Sequence, residues 1–271
     1  MTASPITRLD KLHILPALPN DCHLEIFSEI TSTSEYAKEH PELSTPRIIL
    51  AEQQTAGVGR LGRPWISPFG VNIYYTLMWD YYGSKSPLST LSLRVALSLV
   101  KALKDSGIRG IQLKWPNDLL YQDAKLGGVL ILNQAGPHGS TRLCISFGLN
   151  VNAMPETDVM DIGRASTGLQ EITGKFYDRN PLIVAITQQL FRDLAEFTLQ
   201  ENQDWMQEWK SLDALFGKKV QLNHFSKDIE GIARGINEQG QLIIEDNLGN
   251  QQYYSAGDVT LSASFPTDNR C

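Results

Sequence analysis

Apolar and polar positions along this chain change period several times, and each change marks an element. Residues 23–30 (HLEIFSEI) read as a strand leading into TSTSEYAKEH, where Ser32 and Glu35 have the spacing of a capping box that opens a helix. RIILAEQQ (47–54) and NIYYTLMW (72–79) are β-branched and aromatic runs with strand character. Residues 88–107 carry apolar side chains at helical spacing and stop at Gly107, which predicts a helix with a glycine end. IQLKWPNDLLYQ (111–122) and AKLGGVLILNQ (124–134) read as a strand, a turn and a second strand, and RLCISFGLNVN (142–152) as a third. Beyond 152 the period turns helical, over 180–200 with Pro181 in the first turn, and again over 202–212. After Leu215 four short strands (218–224, 229–236, 241–246 and 251–256) alternate with Gly and Asn turns, a spacing that suits a small closed β-barrel.

The fold class expected is therefore α/β (α+β). A loosely structured arm with one helical turn occupies 1–22, an α/β domain of catalytic size 23–214, and an appended barrel 215–264.

Composition narrows the partners. No stretch reaches the roughly 18 uninterrupted apolar residues of a spanning helix, so no membrane segment is expected. The first residues mix Arg8, Asp10 and Lys11 with prolines and lack the apolar core of a secretory signal, which points to the cytoplasm. Cys22, Cys144 and Cys271 are odd in number and far apart, and read as reduced thiols rather than a zinc site or disulfide framework. A net charge of −6 argues against broad binding to DNA or anionic lipid. Any anion held here must meet a local cluster of cations.

Two clusters answer that description. In AGVGRLGRPW, Gly57, Gly59 and Gly62 spell G-x-G-x-x-G after a strand, as in dinucleotide-binding proteins. That fingerprint needs a helix to follow, and Pro64, Pro68 and a strand follow instead. The loop thus joins two strands, with glycines that admit close approach of an anion and with Arg60 and Arg63 as forked donors. In KWPNDLLYQDAKLGG, a turn at Pro116 and Asn117 lets Lys114, Asp118 and Lys125 face one pocket. Lysines and arginines around an acid suit activation of a carboxylate with ATP, and Asp118 with Asn117 could hold Mg²⁺ or its waters. Taken alone, each cluster also reads as an ordinary surface turn.

Together QQTAGVGRLGRPW, ISPFGVNIY, LKWPNDLL, KLGGVLIL and FGLNVN resemble the biotin protein ligases, also called biotin–[acetyl-CoA-carboxylase] ligases or holocarboxylase synthetases, in motif order from about Ser32 onward. The resemblance implies a core like that of class II aminoacyl-tRNA synthetases, a mixed and largely antiparallel sheet with helices, joined to an SH3-like barrel. It implies that biotin and MgATP form biotinyl-5'-AMP, which a lysine of a biotin carboxyl carrier protein or domain then attacks. By the same resemblance Ser32, Thr33, Ser34, Gln54, Gly57, Arg60, Lys125 and Gly128 would contact biotin or its adenylate, with Ser32 and Thr33 on the ureido ring. Val58, Arg63, Trp65, Asn117 and Asn150 would lie toward the nucleotide, Asp118 toward the metal, and Arg60, Lys125, Lys114 and Asp118 would carry the chemistry. From the residues alone, Ser32 is equally a plain helix cap, and Trp65 and Trp115 are better placed in a core than on a ligand.

The chain departs from the family's pattern at Val58 and Leu61, where many relatives carry basic residues, so its cover over the adenylate is expected to be thinner. IGRASTGLQ (162–170) offers no aromatic to shelve an adenine. Competing readings are a lipoate protein ligase, a biotin-responsive repressor and a binding module without chemistry. Only some 30 residues precede Ser32, with three prolines among them, which disfavours a helix-turn-helix. The resemblance leaves room for a homodimer and does not say which carboxylase is the acceptor.

Overall fold

The computed structural model describes residues 6–19, 21–83, 87–152, 165–199, 204–224 and 227–261. A seven-stranded sheet carries the larger part. Its strands are β1 (His23–Phe27), β2 (Arg47–Ala51), β3 (Ile73–Tyr81), β4 (Gln112–Lys114), β5 (Asp118–Tyr121), β6 (Ala124–Ala135) and β7 (Thr141–Leu149), in the spatial order β1-β2-β3-β7-β6-β5-β4. Only β1 and β2 pair in parallel, joined by the short helix α2 (Thr33–Glu39), and every other pairing is antiparallel. The mixed, largely antiparallel sheet expected from the resemblance is present.

Residues directly opposite in neighbouring strands point to the same face, so the registers sort the sheet into two sides. Tyr75, Leu77, Ile145, Phe147 and Leu149 face a core shared with α3 (Leu91–Asp105) and α5 (Arg179–Leu199). Ile49, Met78 and Cys144 face the other way and are covered by Ala37 of α2. Further along that second face Thr76 lies under Thr33 at the start of α2, and Ser146, Gly148 and Gly128 extend beyond it. That uncovered stretch becomes the floor of a cavity.

The predicted α3 stops as its pattern indicates, with Gly107 in a left-handed conformation (φ 85°) beyond its end. The stretch 111–122 forms two short strands, β4 and β5, on either side of the expected turn at Pro116 and Asn117. Pro116 has no N–H to extend a ladder, and Asn117 N–H closes the turn onto the Lys114 carbonyl at 3.1 Å. The arm forms its one helical turn, α1 (Lys11–Ile14), capped by Asp10, but it is not loose. Ile14 is fully buried, Leu9 N–H donates to Glu52 Oε1 (2.7 Å) and Asp10 N–H to Asn180 Oδ1 (2.8 Å). The buried Arg179 guanidinium joins Glu52 Oε2 (2.6 Å), the Asn72 carbonyl (2.9 Å) and the Thr7 carbonyl. Residues far apart in sequence thus satisfy the arm's backbone groups.

After α4 (Leu169–Thr173), α5 and α6 (Asp204–Leu212), the chain enters a five-stranded antiparallel sheet. Its strands are β8 (Lys219–His224), β9 (Lys227–Ile236), β10 (Leu242–Glu245), β11 (Gln251–Tyr254) and β12 (Asp258–Leu261), in the order β11-β10-β9-β8-β12. This sheet is pinned to the first. Ala214 N–H donates to the Leu113 carbonyl (2.8 Å), and the buried Trp115 indole donates to the Gly240 carbonyl (3.0 Å), which places Trp115 in the core as expected.

Cys22 and Cys144 are free and buried, and burial pushes both thiols up to about 11, which leaves them inert. Cys271 lies outside the described residues. Among the described residues no helix is long and apolar enough to cross a membrane.

Candidate functional site

A cavity of about 430 Å³ opens over the second face of the large sheet, between the N-terminus of α2, the glycine-arginine loop and β12. Most of the residues singled out from the sequence line it. Thr33, Ser34, Gln54, Val58, Arg60, Arg63, Trp65, Lys114, Asn117, Asp118, Lys125, Gly128 and Asn150 all do. Ser32 and Gly57 do not appear in its wall. Ser32 is the helix cap, accepting from Glu35 N–H (3.5 Å) with its hydroxyl 3.0 Å from that of Ser34. Gly57 is a packing glycine: a Cβ there would lie 2.5 Å from the Trp65 carbonyl and 2.9 Å from Gln54 Nε2.

One end of the cavity is neutral and hydrogen-bonded. Thr33 N–H and hydroxyl both donate to Gln54 Oε1 (2.8 and 3.1 Å), while Gln54 Nε2 donates to Ser67 Oγ (3.0 Å). Thr76 and Ser146, from β3 and β7, continue this network beneath Thr33.

The other end is ionic. Lys125 Nζ lies 3.1 Å from Asp118 Oδ1, and Lys114 and Asp118 are register partners across β4 and β5, both buried. Arg60 donates to Asn117 Oδ1 (3.1 Å), and Asn117 Nδ2 to the Val129 carbonyl (2.6 Å). Burial is the largest influence on the Arg60 guanidinium and lowers its proton affinity, against the pull of Asp258 and Asp118. Arg63 is paired with Asp258. Four cations, Arg60, Arg63, Lys114 and Lys125, against two acids, Asp118 and Asp258, form a site that gains from a bound anion.

The loop itself is an antiparallel hairpin. Val58 bridges Pro64, Gly59 N–H donates to the Arg63 carbonyl (2.7 Å) and Trp65 N–H to the Gly57 carbonyl (2.7 Å). At its tip Leu61 and Gly62 take left-handed backbone (φ 57° and 72°), and Leu61 is 77% exposed. A non-glycine residue there costs on the order of 1 kcal/mol.

Trp65 belongs to the cavity wall rather than the core. Its ring lies against Gly148, where a Cβ would come within 2.2 Å of the indole, and Lys125 Nζ sits 5.4 Å from the ring centre. Gly148 was not singled out from the sequence, nor were Thr76, Ser146 or the β12 residues Asp258, Val259 and Thr260 that close the cavity. Each reads as an ordinary strand residue until the register and the meeting of the two sheets are known.

Among the described residues no three His, Cys, Asp or Glu side chains cluster as a metal site. Asp118 brings a carboxylate to this end and Asn150 a buried Oδ1 that makes no hydrogen bond, whereas Asn117 Oδ1 is taken by Arg60 and Asp258 by Arg63. One carboxylate and one amide oxygen fit a Mg²⁺ carried chiefly by substrate phosphates, not a closed protein cage.

Comparison with known proteins gives a consistent picture. Residues 26–152 match the biotin/lipoate A/B protein ligase family, and residues 215–262 match the biotin protein ligase C-terminal domain. The bifunctional ligase/repressor BirA of Escherichia coli K12 is 31% identical over 261 residues, covering 96% of this chain and 80% of that protein. The biotin–[acetyl-CoA-carboxylase] ligase of Paracoccus denitrificans is 27% identical, over 82% of this chain and 93% of its own. The solved structure of the Aquifex aeolicus biotin protein ligase in complex with biotin and ATP superposes with a TM-score of 0.76 at 28% identity, covering 89% of this chain and 99% of that one.

Proposed function

Since this chain belongs to the biotin protein ligase family, we propose that its cavity is where biotin and ATP are joined as biotinyl-5'-AMP, and where the biotinyl group passes to a carrier lysine. The protein is a biotin ligase, an ATP-using enzyme whose partner is the carrier of a carboxylase. The observation that carries the residue roles is the division of one cavity into a neutral, hydrogen-bonded end and an ionic end. Biotin has the same division: an uncharged ureido ring at one end and a carboxylate on a chain at the other.

In the first step the carboxylate attacks the α-phosphate of ATP and pyrophosphate leaves. Two anions must approach, and Lys125, Arg60 and Lys114 offset their repulsion. Asp118, 3.1 Å from Lys125 Nζ, orients that ammonium toward the reacting carboxylate. Arg63 would exchange Asp258 for substrate phosphate. Asp118 and Asn150 would hold Mg²⁺ among the phosphates, where the ion supplies charge neutralisation for the leaving pyrophosphate. In the second step the neutral lysine amine attacks the acyl carbon, AMP leaves, and the amide forms with loss of a proton.

A net charge of −6 supports ligation without DNA binding at physiological salt, and a cytoplasmic setting suits an enzyme whose buried cysteines are free.

Pyrophosphate exchange into ATP tests the reading, with biotin, lipoate and octanoate side by side. Biotin-dependent exchange, followed by transfer to a carrier domain, is the expected outcome. Exchange with lipoate and none with biotin would overturn it.

A further inference from the structure

Asn117 is held at its N–H, at its carbonyl and along its side chain. The N–H donates to the Lys114 carbonyl (3.1 Å), the carbonyl accepts from Val129 N–H (2.9 Å), and the side-chain Nδ2 donates to the Val129 carbonyl (2.6 Å). The amide cannot be turned over. A carbonyl only accepts and a guanidinium only donates, so the amide nitrogen must face Val129 and Oδ1 must face Arg60 Nη1, 3.1 Å away. The protein itself thus engages both polar groups of the side chain. Arg60 and Asn117 also line two cavities at once, the one described above and a second of about 440 Å³ bounded by Leu88, Ile131 and Leu143. The bond between them therefore lies in the wall that separates the two.

What Asn117 does for Arg60 follows from its being neutral. Arg60 leads into the exposed tip at Leu61, and a long arginine side chain gives up much rotamer freedom when it is ordered. The two carboxylates that act on its guanidinium are engaged elsewhere, Asp118 with Lys125 (3.1 Å) and Asp258 with Arg63. An amide oxygen fixes a guanidinium without neutralising it and uses only one of its N–H groups. We propose, resting on the biotin ligase reading above, that Asn117 is a positioning residue that holds Arg60 in aim with its charge free for the adenylate phosphate. Its contribution passes through Arg60, and neither through the nucleotide nor through Mg²⁺. Because the pair is part of a cavity wall, its loss is felt chiefly as escape of the adenylate.

Asn117→Ala should raise the off-rate of biotinyl-5'-AMP about threefold to tenfold, the worth of holding one long side chain in place beforehand. In an Arg60→Gly background the same change should alter the off-rate by less than about twofold, since no guanidinium is left to aim. The Mg²⁺ concentration that gives half-maximal pyrophosphate exchange should also stay within about twofold of the wild-type value. Should Asn117→Ala fail to fold, as judged by circular dichroism, Asn117→Gln takes its place. It keeps the amide but is one methylene too long to meet Val129 and Arg60 together, so the same rise, and the same loss of effect without Arg60, are expected. An unchanged off-rate in a folded variant, equal effects with and without Arg60, or a shifted Mg²⁺ midpoint would overturn the inference. Absence of biotin-dependent exchange in the wild type would instead sink the functional reading beneath it.

Discussion

Lys125 Nζ stands 3.1 Å from Asp118 Oδ1 and 5.4 Å from the centre of the Trp65 ring, so a carboxylate holds the ammonium on one side and an aromatic face on the other. Its backbone is fixed independently: Lys125 N–H donates to the Ala165 carbonyl (2.8 Å) and its carbonyl accepts from Thr167 N–H (2.9 Å). The side chain can thus be removed without losing the strand. Lys125→Ala is expected to slow adenylation by about 30-fold to 1000-fold, the 2–4 kcal/mol typical of a charge-assisted donor lost where negative charge gathers. Single-turnover formation of biotinyl-5'-AMP measures it, and a wild-type rate in a folded variant would make Lys125 a bystander.

Gly148 is the second test, because its lack of a side chain is what allows Trp65 to lie against β7. A Cβ there would stand 2.2 Å from the indole, too close to be absorbed without moving the ring. Gly148→Ala should weaken biotin binding by roughly 5-fold to 100-fold, in keeping with the 1–3 kcal/mol cost of overpacking. In a Trp65→Ala background the same change should cost almost nothing, since no ring remains to displace. Calorimetric titration of the four proteins completes the cycle, and additive losses would show that Gly148 does not act through Trp65.

How far the fold and site were legible from residue order depends on whether a feature is local. The helix cap at Ser32, the glycine stop at Gly107 and the two cationic clusters rest on neighbours in sequence, and each is where its spacing places it. The polar relay through Thr76 and Ser146 could not be read this way, for it exists only once β3 and β7 pair in register. Nor could the fastening of the arm, which joins Glu52 to Arg179 across 127 residues. At Gly57 the close approach that depends on tertiary structure is to the Trp65 carbonyl and Gln54 Nε2.

Arg142 and Asp80 provide a pH test away from the site. The Arg142 guanidinium meets both oxygens of Asp80 (2.7 and 2.8 Å) and donates to the Leu43 carbonyl (2.8 Å), tying the link between α2 and β2 to the sheet. Hydrogen bonding to Arg142 holds the Asp80 carboxyl below its usual 3.8, with burial opposing. A depressed native value means that the stabilisation is present above about 3.8 and is lost as pH falls through the native value. Asp80→Asn should therefore lower stability by about 3–5 kcal/mol near neutrality, the cost of breaking a buried pair, and by less in acid. Urea midpoints for both proteins from pH 2.5 to 7 check the sign. A gap that widens in acid would contradict the assignment.

The glycine-arginine loop yields the last expectation. Its base is already closed by the bonds at Gly59 and Trp65, whereas the tip, Arg60 to Gly62, projects an exposed Leu61. Ligand-dependent order should therefore concentrate at the tip, and amide exchange at Leu61 and Gly62 should slow with biotinyl-5'-AMP while Gly59 and Trp65 change little. Arg60 Nη1 donates to Asn117 Oδ1, which leaves its other N–H groups for the adenylate phosphate. Val58 and Leu61 bring no guanidinium, which leaves Arg63 as the loop's other one. Arg60→Gly removes the phosphate contact and adds backbone freedom at once. The adenylate off-rate should rise about 10-fold to 100-fold, the worth of one charged hydrogen bond, and by more than adenylation slows. Escaped adenylate would then acylate unrelated lysines, which blotting for biotin on a bystander protein detects. Equal amide protection of the tip with and without adenylate, together with an unchanged off-rate, would mean that the hairpin is a fixed wall and that retention depends on residues elsewhere in the cavity.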